Sequence, residues 1–381
     1  MPQQFTYRVP DEDIADLAAR LGRMRLPDPA PGDPWAYGTS VDAVRALADY
    51  WRDGFDWRVE EARLNAFPQF RIARPDCDLH FLHVPGKGPA PMPLLLMHGW
   101  PGSVFEFLDL IPRLTDPARF GGDPADAFTV VAPSLPGYGL SFRPGQTRFG
   151  VEEIADILAD LMSGTLGYPR FAVQGGDWGA IAAARMGAVH ADRLIGLHVN
   201  MLFVRRDPAA FVDPTPEERV FIDELTHFLN EETGYQWIQG TRPQTLSFAL
   251  TDSPVGLAAW ILEKFRAWSD CGGDVESALS RDRMLANISF YWFTRAIGSS
   301  FYPYWFRRHR PWPIPDSGVT APTGYAAFPR EILKPPRSIA DKTFTDIRRW
   351  TEMAKGGHFA AMEQPEALAE DVRAFFRELR R

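Results

Sequence analysis

Cysteine is almost missing from this chain. Two occur in 381 residues, Cys77 and Cys271, far apart and without metal-ligand spacing. This excludes a disulfide-stapled scaffold and a thiolate metal centre. Two free thiols in a reducing compartment are expected, with one long-range bridge as the alternative. A basic excess is also absent: 49 Asp and Glu outweigh 41 Lys and Arg, for a net charge of −8. That balance argues against a nucleic-acid partner and against adhesion to an anionic membrane. No apolar stretch is long enough to span a bilayer, and Met1 to Thr6 carries no apolar leader, so no stable membrane insertion and a cytoplasmic location are expected. Repeats, low-complexity tracts and charge blocks are lacking too. What is plentiful is apolar and aromatic side chain, 45% and 13% of residues, with 12 Trp and 27 Phe. This suits a folded chain with a sizeable core and a deep apolar cavity.

Hydrophobic periodicity divides the chain into four segments. Residues 1–68 read as a helical meander wrapping the core. Ile14, Leu17, Leu21 and Met24 recur at helical spacing, a second helix starts near Thr39 or Ser40, and a third covers about 58–66. Residues 69–200 alternate strands with helices. Strands are expected at 70–72, 78–84, 94–97, 128–132, 171–175 and 194–199, with a helix over 151–163. The fully apolar run Leu94-Leu95-Leu96-Met97 is what a central parallel strand requires. From 201 to 315 no strand is evident, and helices are expected over 215–230, 254–268 and 275–297. Strand signals return in 316–381, at 324–328 and 344–347, before a last helix after Pro365. The expected fold is α/β, with a mainly parallel sheet and a helical cap inserted after its first half.

The stretch Phe171-Ala172-Val173-Gln174-Gly175-Gly176-Asp177-Trp178-Gly179 carries the chemistry. Gly175 and Gly179 flank Asp177 at the spacing of a nucleophile elbow, a tight strand-to-helix turn that lifts one side chain above the sheet. A carboxylate there can attack a strained or activated sp3 carbon and form an alkyl ester, which water must then hydrolyse. The second step needs a base, an acid to orient it and an oxyanion hole. His358, in Lys355-Gly356-Gly357-His358-Phe359, follows the last strand and is the candidate base. Glu331 is the first acid after the strand at 324–328, with Asp316 and Asp341 as competitors. The order Asp177, Glu331, His358 is that of the α/β-hydrolase fold. The oxyanion donors are assigned to the backbone N–H groups of Trp178 and of Trp100, in His98-Gly99-Trp100-Pro101. His80 and His83 fall on opposite faces of one strand and are read as structural.

Together, His98-Gly99-Trp100-Pro101, Gly175-Gly176-Asp177-Trp178-Gly179 and Gly356-Gly357-His358-Phe359 resemble the epoxide hydrolases of the microsomal and juvenile-hormone branch. The resemblance runs through Tyr50-Trp51-Arg52-Asp53-Gly54-Phe55, the segment from Asp252 to Phe265, and Pro322-Thr323-Gly324-Tyr325 before Glu331. It implies conversion of an apolar or aromatic epoxide to a vicinal diol, without cofactor or metal. It also implies two cap tyrosines on the epoxide oxygen, matched by Tyr235 and Tyr302, with Tyr304 a close rival of Tyr302. A haloalkane dehalogenase with the same Asp nucleophile is the alternative enzyme, and a non-catalytic binder on a hydrolase scaffold is a third class. A homodimer stays open.

Overall fold

The computed structural model describes residues 1–206 and 211–380. Its centre is one sheet built from β1 (Gln3–Phe5), β2 (Gln69–Ala73), β3 (Asp78–Val84), β4 (Met92–Met97), β5 (Phe128–Pro133), β6 (Phe171–Gly175), β7 (Leu194–Val199), β8 (Thr323–Ala327) and β9 (Ile347–Glu352). The strand order is β1-β2-β3-β5-β4-β6-β7-β8-β9. The first three strands pair antiparallel, as does β3 with β5, and the remaining strands run parallel.

Side-chain alternation puts successive residues of each central strand into different layers. Leu95 and Met97 of β4 and Val173 of β6 pack on one face with Leu158 and Ala183, from helices Val151–Asp160 and Asp177–Val189. Leu94, Leu96 and Ala172 pack on the other with Ile111, Leu368 and Phe375, from helices Ile111–Thr115 and Pro365–Arg377. A sheet covered on both faces has continuous apolar strands, which is why β4 reads as an unbroken run.

Between β7 and β8 the described chain is helical: Pro216–His227, Gly234–Thr241, Pro243–Asp252, Pro254–Trp268, Arg281–Thr294 and Tyr302–His309. The amino-terminal segment grips this insertion. The Trp51 indole N–H donates to Ser289 Oγ at 2.8 Å, Tyr50 OH bonds Asp282 at 2.8 Å, and the Thr39 hydroxyl donates to the Ala259 carbonyl at 2.8 Å.

Three expectations change in detail. The amino-terminal segment is not purely helical, since β1 pairs with β2. The last strand runs 347–352 rather than 344–347, because Phe344 is buried and makes an isolated bridge to Val319. The helix expected over 275–297 starts at Arg281, where Ser280 Oγ caps it by accepting the Arg283 N–H. No single helix among the described residues is long and apolar enough to cross a membrane.

Candidate active site

The carboxyl ends of β4 and β6 lie side by side, and the loops leaving them form the floor of the site. Asp177 follows β6 directly and opens helix Asp177–Val189 at a φ of 48°, a left-handed conformation that costs a non-glycine residue energy. The turn is possible because its neighbours lack side chains. A Cβ on Gly179 would strike the Met97 carbonyl, and one on Gly99 would strike the Asp177 carboxylate itself.

The carboxylate is bracketed. Its Oδ1 accepts the Trp100 backbone N–H at 2.7 Å, and its Oδ2 lies 3.5 Å from His358 Nε2. His358 Nδ1 bonds Glu331 Oε1 at 2.6 Å, and Glu331 also accepts the Ile332 N–H at 2.8 Å. Glu331 and His358 are both buried. Burial alone would push the imidazole down. Coulomb attraction to Glu331, with hydrogen bonds to Asp177 and Glu331, outweighs it and holds His358 well above the usual histidine range. The surroundings therefore favour the charged form of the imidazole in the resting site.

The loop carrying Trp100 is locked from the helical insertion. Asn287 donates to the Pro101 carbonyl at 2.7 Å and accepts from Ser103 Oγ at 2.7 Å, while Tyr291 OH donates to the Gly102 carbonyl at 2.8 Å. His98 fixes the same loop from below: its Nδ1 faces the Gly99 carbonyl at 3.0 Å and its Nε2 accepts the Leu135 N–H at 3.1 Å. Burial lowers its pKa to about 4, so it stays neutral. His358 is placed by its own N–H, which donates to the Trp268 carbonyl at 2.9 Å, and by the Trp268 ring set edge-on at 5.1 Å.

Above the carboxylate lies a cavity of about 270 Å³, which Asp177, Trp178, Tyr235 and Tyr304 help to line. The Tyr235 ring stacks on the Trp100 indole at 5.4 Å and meets Tyr304 edge-on at 5.7 Å. Tyr304 stands 4.8 Å from the Trp178 ring, and its hydroxyl has no well-formed partner among the described residues. Burial raises both phenols, so both remain protonated donors. A larger groove of about 680 Å³ lies on the surface beside Arg20 and Phe248, away from Asp177, and holds none of this machinery.

Asp177, Glu331, His358, Trp100, Trp178 and Tyr235 are thus brought together. Tyr302 is not, and this is a correction. It is only partly buried, and the Arg148 guanidinium lies 5.3 Å above its ring. Both tyrosines lie in helix Tyr302–His309, and positions two apart on a helix face in nearly opposite directions, so only Tyr304 can line the cavity. His80 and His83 do not combine either: His80 is held by Ser134 and Gln69, and His83 by Tyr168.

One residue escaped the sequence reading. Glu106 joins Asp177, His358 and Gly99 around a second space of about 20 Å³ behind the carboxylate, room for one water. Burial and the nearby Asp177 charge push its carboxyl up, against the pull of His358, to about 8. Among the described residues no group of three or more His, Cys, Asp or Glu could hold a metal ion.

Comparison with known proteins identifies the fold and the family. Residues 2–107 match the family described as epoxide hydrolase N terminus, and residues 92–222 match the alpha/beta hydrolase fold. Epoxide hydrolase 1 of Oryctolagus cuniculus is 36% identical, covering 97% of this chain and 88% of its own. Juvenile hormone epoxide hydrolase 2 of Ctenocephalides felis is 33% identical over 97% of this chain and 84% of its own. Among solved structures, juvenile hormone epoxide hydrolase of Bombyx mori superposes with a TM-score of 0.90 at 30% identity, covering 100% of this chain and 95% of that one. Aspergillus niger epoxide hydrolase gives 0.87 at 29%, covering 100% and 97%.

Proposed function

The chain belongs to the epoxide hydrolase family of the α/β-hydrolase fold and is an epoxide hydrolase, and from that premise we propose that it works through an alkyl ester on Asp177. The haloalkane dehalogenase alternative is not favoured by these relatives. The observation that carries the mechanism is the bracketing of one carboxylate by the Trp100 N–H and by His358.

With Oδ1 held by Trp100, Oδ2 is the attacking atom. It forms a bond to one epoxide carbon as the carbon–oxygen bond of the ring breaks. Tyr235 and Tyr304, protonated and converging on the cavity, donate to the oxygen as it becomes an alkoxide, and one of them gives it a proton. Esterification removes the Asp177 charge. One of the two anions that hold a proton on His358 is then gone and its pKa falls; the proton it sheds restores the phenol that ring opening had deprotonated, and the neutral imidazole becomes a base.

A water in the small space beside Glu106 then gives His358 a proton and attacks the ester carbonyl carbon. The Trp100 and Trp178 N–H groups stabilise the oxyanion on Oδ1, the latter being one of the first-turn donors that a helix leaves unpaired. Collapse releases Oδ2 with the diol as His358 returns its proton to that oxygen, and the oxygen from water stays in Asp177. The helices between β7 and β8 act as the cap of this site. No cofactor enters any step, and a cytoplasmic location belongs to the same reading.

Asp177→Ala is expected to lower turnover by a factor of about 10⁴ or more. His358→Gln is expected to accumulate the ester, seen in the intact mass as protein plus one epoxide. A fully active Asp177→Ala variant would rule the mechanism out.

A further inference from the structure

The walls of the 270 Å³ cavity do not match a neutral substrate. Among the described residues its floor holds the only lining carboxylate, Asp177, and its apolar walls include Ile181, Met201 and Leu229, yet three arginines complete it: Arg206, Arg307 and Arg308. In a chain of net charge −8 such a concentration of one sign needs a cause. Most arginines elsewhere pair with carboxylates, as Arg310 does with Glu153 at 2.7 Å. Among the described residues no carboxylate lies within ion-pair distance of Arg307 or Arg308.

Aromatic rings hold these two guanidiniums instead. Arg308 lies 4.0 Å from the Trp237 ring centroid and Arg307 4.8 Å from that of Trp312. A guanidinium stacked by its face keeps its in-plane N–H fork free, and that fork matches the geometry of a carboxylate. Burial, and the charges of Arg206 and Arg205, lower the Arg307 pKa against the pull of Glu152, as an incoming anion would reverse.

We propose that the preferred substrate is an epoxide whose far end carries a carboxylate, held by Arg307 and Arg308 while an apolar body spans the cavity to Asp177. This rests on the reading of Asp177 as nucleophile and deepens it by naming the substrate class. Arg206, stacked 5.4 Å from the Phe228 ring, adds to the same positive field.

The test compares 4-(oxiran-2-yl)benzoate with its methyl ester, following diol formation. On the unaltered enzyme the carboxylate should have the higher kcat/KM, by about tenfold, with the difference mainly in KM and shrinking as salt rises. Arg307→Gln and Arg308→Gln together should remove that preference, lowering kcat/KM for the carboxylate about tenfold more than for the methyl ester. As a check that needs no variant, 4-ethylbenzoate should inhibit competitively and 4-ethylbenzamide should not. Equal or better use of the methyl ester by the unaltered enzyme, or equal inhibition by acid and amide, overturns the inference. Diol from the methyl ester leaves the hydrolase reading standing whatever the carboxylate does, whereas no diol from either epoxide sinks both.

Discussion

Asp177 is held in a left-handed backbone conformation, with one oxygen already in the grip of an N–H donor. In the proposed mechanism the tyrosines supply the proton to the epoxide oxygen. Tyr235→Phe and Tyr304→Phe are each expected to slow ester formation by about 100-fold, the low end for a general acid. Tyr302→Phe should stay near the unaltered rate, because its ring faces Arg148 rather than the cavity. Stopped-flow indole fluorescence reads this directly, since Trp100 and Trp178 flank the reacting carboxylate.

In the proposed mechanism Glu106 bears on the second step. With its carboxyl near a pKa of 8 it is neutral at pH 7, and it becomes an anion above that. A new negative charge beside His358 favours imidazolium and withholds the base. Ester hydrolysis is therefore expected to decline above about pH 8 in the unaltered enzyme, and Glu106→Gln should abolish the decline. A decline unchanged in the variant would assign it to another group. That Asp177 and His358 meet was legible from spacing and chain order alone. Tyr304 was not separable from Tyr302, because the choice depends on how helix Tyr302–His309 is rotated about its axis, which tertiary packing sets. Glu106 was silent because an acid in a turn carries no signature until its neighbours are known.

At the scale of elements, the closing helix Pro365–Arg377 is tied to the sheet by charge. Asp371 bonds His198 Nε2 of β7 at 2.9 Å and Arg349 of β9 at 2.7 Å, and both Asp371 and His198 are buried. Burial alone would raise the Asp371 carboxyl, but hydrogen bonds from His198 and Arg349 outweigh it and depress its pKa. A depressed carboxylate stabilises the fold above its unfolded pKa of about 3.9, and the contribution fades as pH falls through the folded value. Asp371→Asn is expected to cost about 3–5 kcal/mol at pH 7, measured by urea unfolding, and much less near pH 2. The sequence showed His198 at a strand end and this helix as amphipathic. It could not show that they meet, because they lie 173 residues apart. Elements with strong patterns, such as β4 and helix Pro254–Trp268, were placed closely. β1 was missed because three residues in an edge strand leave too little alternation to read.

At the scale of the whole molecule, the helical insertion and the amino-terminal segment form one frame around the sheet's reactive edge. Asn287 and Tyr291 lock the loop of Trp100 from above, Trp51 holds the same helix from behind, and Tyr235 and Tyr304 reach down from the insertion. The fold class was readable because strand–helix alternation survives on both sides of the insertion. How the insertion docks was not, because buried helix faces carry no address. In the proposed mechanism this frame serves one covalent event, and single turnover in heavy-oxygen water tests it most directly. With enzyme in excess over styrene oxide, mass spectrometry of the peptide containing Asp177 should show one heavy oxygen in that residue and a diol free of label. Label in the diol with an unlabelled Asp177 would mean that water attacks the epoxide directly, and would contradict the account.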